Sequence, residues 1–350
     1  MSSILITGGA GFIGVHSARH FADLGFSVTV LDNLSRKGTA ENLAWLKSVC
    51  PVQFVKADVR DGDAMERIVG DGRPDVLLHL AAQVAVTTSV EDPRADFEAN
   101  ALGTFNMLEA VRRKSPETFF IYAATNKVYG RMEDLGVVER NGRYEYGDLP
   151  RGVPEGRPLD FHSPYGCSKG VADQYTIDYS RIYGLQTVTF RQSCIYGTRQ
   201  FGIEDQGWVA WFTIASVLKK QITIYGDGKQ IRDVLHVGDL VRAYQAAYEN
   251  RAQSSGQAFN IGGGPKNTLS LLELIAQLED KLGEKIPLKW SDWRPGDQPV
   301  FVCDVAKAEQ RLGWRPAVGV RKGVDELIAW TRDNRRLFGI LAEREAVSSH

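Results

Sequence analysis

Seven residues, Gly8-Gly9-Ala10-Gly11-Phe12-Ile13-Gly14, join the apolar run Ser3-Ile4-Leu5-Ile6-Thr7 to a stretch with helical spacing at 12–24. The glycines read as Gly9-x-Gly11-x-x-Gly14 or as Gly8-x-x-Gly11-x-x-Gly14. Either spacing lets the backbone turn tightly and brings the N–H groups of a helix start against a pyrophosphate. A second apolar run, Ser27-Val28-Thr29-Val30-Leu31, ends at Asp32. A carboxylate there can accept hydrogen bonds from both adenosine ribose hydroxyls. Strand, glycine turn, helix and acid in this order make a dinucleotide-binding βαβ unit. Asp32 favours NAD over NADP, whose extra phosphate it would repel. Arg36 and Lys37 nearby weaken that preference.

Further apolar runs at 53–57, 76–80 and 119–123 alternate with helical patterns. This alternation predicts an α/β fold with a doubly wound parallel sheet of the Rossmann type. Residues 1–190 are expected to form the dinucleotide-binding domain, with a long surface loop at 131–157 rich in Gly, Arg, Glu and Pro. Beyond 190 the rhythm weakens. Residues 191–340 are expected to form mainly a smaller α/β substrate-binding domain, with some segments returning to the first. The tail after about 338 is expected to fray.

Composition narrows the function classes. The chain has 350 residues, 43% of them hydrophobic, so it can build a full core. A formal net charge of −1 offers no basic field for nucleic acid. No run approaches the 18 or more apolar residues of a membrane span, and the N-terminus runs into a strand without a signal-like region. Cys50, Cys167, Cys194 and Cys303 are scattered, with neither metal spacing nor a disulfide framework. A cytoplasmic protein without a metal is expected.

Chemistry enters at two motifs. Thr125 lies in Ala124-Thr125-Asn126-Lys127-Val128-Tyr129-Gly130, and Tyr165-Gly166-Cys167-Ser168-Lys169 follows 40 residues on. A hydroxyl, a phenol and an ammonium around one pocket can move a proton to and from a sugar oxygen. Lys169 lies one helical turn beyond Tyr165, where its charge would lower the phenol pKa. Taken singly, Tyr165 is as readily a core aromatic and Lys169 a solvated helix residue. Asp58 can meet the adenine amine, Leu80-Ala81-Ala82 can pass beside the cofactor, and Asn100 can hold the site together; each has a packing alternative. Phe12, Ile13, Asn33, Ser35, Arg36 and Val59 complete the candidate cofactor shell.

The chain resembles the extended short-chain dehydrogenase/reductase family, the nucleotide-sugar epimerases and dehydratases. The likeness runs nearly end to end. It is carried by Gly8, Gly11 and Gly14; Asp58-Val59; Leu80-Ala81-Ala82; Asn100; Thr125 with Val128-Tyr129-Gly130; Tyr165 and Lys169; Arg191 with Ile195-Tyr196-Gly197; Arg232-Asp233; Asn260-Ile261-Gly262; and Arg294-Pro295-Gly296-Asp297. The resemblance implies tightly bound NAD, Tyr165 as general base, Thr125 on the same substrate oxygen, and Lys169 on the nicotinamide ribose. It implies a nucleotide-diphosphate sugar as substrate, with Arg232 and Arg294 as phosphate anchors. It also implies a homo-oligomer, dimer or tetramer, built from helices near 100–113 and 166–183.

One departure is informative. The similar 4,6-dehydratases carry an Asp-Glu pair after the equivalent Thr, and those two groups eliminate water. Here the pair is Asn126-Lys127, so the resemblance implies oxidation followed by reduction on the other face. Thr125 to Gly130, Ser193 to Gly197 and Glu204 to Val209 narrow the likeness to epimerases acting at C2 of CDP-linked deoxyhexoses. On that ground Asn126, Cys194, Gln206 and Val209 join Thr125, Arg232 and Arg294 as candidate substrate contacts. Nothing in the spacing separates C2 from C4, so a UDP-sugar 4-epimerase stays open, as does a non-catalytic NAD-binding sensor.

Overall fold

The computed structural model describes residues 1–294 and 297–339. Pro295-Gly296 of the Arg294-to-Asp297 motif, and the expected frayed end from residue 340 onward, lie outside the described residues.

Ile4, Leu5 and Ile6 are all buried. An apolar run without alternation is stable as a strand only when both faces are covered. Seven strands form an all-parallel sheet in the order Gln257–Ile261, Thr187–Gln192, Phe119–Thr125, Val76–His79, Ser3–Thr7, Ser27–Asp32, Gln53–Lys56. The chain winds outward from Ser3–Thr7 through helices Phe12–Asp23 and Thr39–Val49. It then winds the other way through Gly103–Lys114 and Ser163–Tyr183. On one face Val15, Phe21, Leu43 and Leu46 pack with Leu240 and Tyr244. On the other, Met65, Val69, Met107, Val111, Ala172 and Tyr179 form the second layer. The winding reverses between Ser3–Thr7 and Val76–His79. In doubly wound sheets the ligand crevice opens there, at the carboxyl ends of the strands.

Past Gln192 shorter strands mix directions. Ile231–His236 pairs antiparallel with Thr268–Ser270 and parallel with Val300–Phe301 and Cys194–Tyr196. Helices Trp208–Val217, Leu271–Leu282 and Val320–Asp333 close a separate apolar cluster around Phe212, Leu274, Leu278 and Leu327.

The segment at 131–157 is more ordered than the expected surface loop. It contains a hairpin, Val137–Arg140 with Arg143–Tyr146. Asn141 and Gly142 turn it with φ of 53° and 76°, the paired positive angles of a tight two-residue turn. The hairpin is fastened to later parts of the chain. Tyr144 donates to Asp227 at 2.6 Å, Tyr146 to the Val300 carbonyl at 2.9 Å, and Arg143 to Glu273 at 2.9 Å.

Candidate active site

The glycine turn is a cradle of backbone. Gly8 has φ 64°, and a Cβ there would lie 2.8 Å from the Ala81 nitrogen. A Cβ on Gly9 would lie 2.6 Å from Val30 Cβ, and one on Gly14 only 2.3 Å from the Gly8 carbonyl oxygen. Both readings of the motif therefore have a physical basis. Gly11 N–H closes the turn onto the Gly8 carbonyl at 3.0 Å. No side chain caps the helix that begins at Phe12, so its first N–H groups, Ile13 included, are available to an anion.

Asp32 ends its strand buried. Its carboxylate accepts from Ala10 N–H at 3.1 Å and Leu34 N–H at 2.7 Å. Burial raises its pKa, and the two N–H groups and Arg36 pull it back. Ser35 N–H donates to the Asn33 side chain at 3.0 Å, and Asn33 donates to Asp58 at 2.9 Å. Arg60 grips Asp58 in a fork of 3.0 and 2.8 Å and holds its carboxyl at about 2. Val59 is buried against Gly103. Leu80 and Ala81 N–H each donate to the Thr7 hydroxyl at 3.2 Å, with Ala82 next in the same turn. Asn100 is a buried brace: it accepts from Gln83 N–H at 2.8 Å and donates to Asp96 at 3.1 Å and Ser168 at 3.0 Å. It thereby locks the turn after Val76–His79 to the helix of Tyr165 and Lys169.

Thr125, Tyr165 and Lys169 come together at the carboxyl edge, all buried. The Thr125 side chain lies close enough to the Tyr165 phenol to lower its pKa. Burial pushes that phenol up to about 12, against the lowering pull of Thr125 and Arg36. Lys169 is not among the groups that lower it in this state of the chain. The Lys169 ammonium instead donates to the Ala123 carbonyl at 2.6 Å and lies 4.4 Å over the Tyr122 ring. Burial brings its own pKa down to about 7, opposed by Asp96 and Asp173.

The candidate substrate residues divide. Asn126 accepts from the Thr125 hydroxyl at 3.3 Å. Burial raises the Cys194 pKa, so this thiol is no thiolate nucleophile. Arg232 pairs with Asp297 at 2.5 Å. Arg294 pairs with Asp205 at 2.8 Å and lies 4.0 Å over the Tyr225 ring. Gln206 accepts from Arg36, joining the cofactor shell to the substrate side. Val209 is 2% exposed, within the apolar cluster of the later helices against which Cys194 also packs.

The model of the GDP-mannose 4,6 dehydratase family matches residues 5–327. The chain belongs to that family, within the extended short-chain dehydrogenases/reductases. It is 47% identical over 333 residues to the CDP-paratose 2-epimerase of Salmonella typhi, covering 94% of this chain and 98% of the relative. Its fold is similar to that of the UDP-glucose 4-epimerase of Thermotoga maritima solved with UDP-glucose, with a TM-score of 0.82 and 32% identity. That match covers 95% of this chain and 99% of the other. The Thermus thermophilus UDP-glucose 4-epimerase in complex with NAD matches with a TM-score of 0.79, 32% identity and the same coverage. The chain is an NAD-dependent enzyme, and the glycine cradle, open helix start and Asp32 fit that cofactor.

Two placements escaped sequence reasoning. Arg60 grips Asp58 from two residues away, an Asp-x-Arg spacing that could have been read. The Asp96–Ser168–Asn100 brace joins residues up to 72 apart and leaves no local pattern. Arg191, Tyr129 and Asn260, which carry part of the family likeness, are structural. Arg191 pairs with buried Asp173 at 2.9 Å, and Tyr129 donates to Asn260 at 2.7 Å. Among the described residues no helix is long and apolar enough to cross a membrane.

Proposed function

We propose that this NAD-dependent nucleotide-sugar epimerase inverts C2 of a CDP-linked deoxyhexose, converting CDP-paratose to CDP-tyvelose through a transient 2-keto sugar. One observation carries the epimerase part of the reading: Thr125 lies beside Tyr165 at the carboxyl edge, and the next two residues are Asn126 and Lys127 rather than an acid pair. The choice of C2 and of CDP is supported by the 47% identity to the CDP-paratose 2-epimerase.

Tyr165 would take the proton of the reacting hydroxyl as the phenolate, the form that the positive nicotinamide ring of bound NAD would favour against burial, and Thr125 would hold the same oxygen. NAD supplies the acceptor for the hydride and returns it. Lys169 fixes the strand end at Ala123 and would hold the nicotinamide ribose of bound NAD. Arg232 and Arg294 hold the diphosphate with forked donors while the sugar turns over. In a 3-deoxy-2-keto sugar the C4 hydroxyl is β to the carbonyl, so a base near C3 would expel it. Asn126 and Lys127 offer no such base, and the ketone survives to be reduced.

The test is a panel of CDP-, UDP- and dTDP-linked sugars given to the protein without added oxidant, with products read by NMR. CDP-paratose should invert at C2, keep deuterium placed there, and release no net NADH. Inversion at C4 of a UDP-sugar would replace this reading with the 4-epimerase, which the similarity to the Thermotoga maritima enzyme favours. Tight NAD binding without turnover of any sugar would make the chain a sensor.

Residues 1–190 and 191–340 serve in this reading as cofactor and substrate domains of a cytoplasmic enzyme. Phe97, Phe105, Tyr175, Ile182 and Tyr183 leave apolar surface exposed on the helices at 93–114 and 163–183. Exposed apolar side chains of that kind suit self-association as a dimer or tetramer, which sedimentation would measure.

A further inference from the structure

Lys127 is the residue of the Thr125 motif that the chemistry above leaves without a task. It sits in the short turn Asn126–Tyr129, and its backbone N–H donates to the Thr125 hydroxyl at 3.3 Å. That turn is fastened to the segment at 298–301. The Gly130 carbonyl accepts from the Gln298 side chain, and the Tyr129 ring stacks on Phe301 at 6.3 Å. Phe301 is the register partner of Arg232, and Gln298 follows Asp297, which pairs with Arg232. Burial and the like charge of Arg232 lower the Lys127 pKa, opposed by Asp297 and Cys194.

The charges around the pocket are unequal. Arg232 is matched by Asp297 and Arg294 by Asp205. Among the described residues Lys127 has no carboxylate at ion-pair distance. The two matched arginines present directed donors but little net charge, whereas a sugar diphosphate brings two negative charges. Lys127 follows Thr125, which addresses the sugar, by two residues, and its turn is tied to the segment that pairs with Arg232, which addresses the diphosphate.

We propose that Lys127 is a substrate-positioning residue whose ammonium binds the sugar-linked phosphate of the nucleoside diphosphate and holds it as the pivot while the keto sugar turns. This rests on the nucleotide-sugar reading above but not on the base or the carbon inverted. An ammonium suits a pivot: it is a compact charge with three rotatable donors, and it can follow an oxygen that moves.

The test uses the NAD-containing protein, titrated calorimetrically with CDP, UDP and dTDP and with CMP, UMP and dTMP. Lys127→Met should weaken the best-bound diphosphate by roughly 10–100-fold, the range for a lost hydrogen bond to a charged group. The matching monophosphate should change by less than about threefold, because it lacks the second phosphate. NAD content should stay as in the wild type, and Lys127→Arg should recover most of the affinity. Unchanged diphosphate affinity in Lys127→Met overturns the assignment. So does an equal loss for mono- and diphosphate, or a loss accompanied by NAD release that Arg does not rescue, since either is the mark of a structural residue. A wild-type preference for UDP would sink the CDP reading and leave the Lys127 comparison intact. A wild type that binds none of the diphosphates would overturn both.

Discussion

On the cofactor side of the crevice, Gly8, Gly9 and Gly14 are small because other atoms, mostly backbone, stand where a Cβ would go. On the substrate side, Arg232 and Arg294 are aimed by Asp297 and Asp205, carboxylates remote from them in sequence. The first surface is made by the path of one short turn. The second is assembled from side chains brought in by several short strands and loops. A backbone site of this kind recognises what every nicotinamide dinucleotide shares. A side-chain site is free to change the sugar or base it accepts without disturbing the sheet. Kin that act at different carbons can therefore share one framework.

The contrast can be broken experimentally. Tyr165 stands where the two sides meet, and Tyr165→Phe removes one oxygen from a packed ring. Turnover should fall roughly 10²–10⁴-fold, the usual cost of losing a general acid–base, with NAD content unchanged. Near wild-type kcat would remove Tyr165 from its role. Arg232→Ala should act on the substrate side alone. Loss of a hydrogen bond to a charged group costs about 1.5–3 kcal/mol, so diphosphate affinity should fall while NAD stays bound. Equal losses of both ligands would mean that the two sides are mechanically one. Gly14→Ala should do the converse. Its Cβ would fall 2.3 Å from the Gly8 carbonyl oxygen, and overpacking of this sort costs about 1–3 kcal/mol. A lower Tm with NAD lost on purification is expected; a stable, NAD-loaded variant would contradict the backbone account.

The smallest effect is one of pH. Lys169 titrates near 7 in the folded chain against an ordinary 10.5. Between those values the unfolded chain binds the proton and the folded one does not, so stability rises with pH. The slope from this group reaches at most about 1.4 kcal/mol per pH unit. The cost of charging the buried ammonium is fully present below about 7. Urea midpoints at pH 7, 8 and 9 should therefore climb more steeply in the wild type than in Lys169→Met. Parallel slopes would show that Lys169 keeps its charge when folded.

What the sequence disclosed follows the same division. The glycine turn, Asp32, the sheet and the Tyr165–Lys169 spacing are local in the chain, and their geometry follows from short-range sterics and helical period. The link between Arg36 and Gln206 spans 170 positions, and no period records it. Lys169 was expected to depress the Tyr165 pKa because it lies one turn away. The sequence could not say that its ammonium would go to the Ala123 carbonyl, nor that burial would dominate the phenol. Asn141-Gly142 was a legible turn signal inside a stretch read as loop; the surrounding Gly, Arg and Glu masked the strands on either side. Val209 was placed near the nucleotide on motif likeness; the sequence did not show that its helix would bury the side chain.

The order of strands also sets a timetable for synthesis. Gln257–Ile261 is the neighbour that Thr187–Gln192 needs to cease being an edge, yet some sixty residues separate them in the chain. A ribosome adding roughly 5–20 residues per second takes several seconds to cover that distance. Throughout that interval the buried strand Thr187–Gln192, with Val188 and Phe190 at its centre, has an unpaired side. Exposed strand edges of that kind template wrong pairings. Production of the protein is thus most vulnerable late in translation, after the cofactor turn has been made and before the sheet can close.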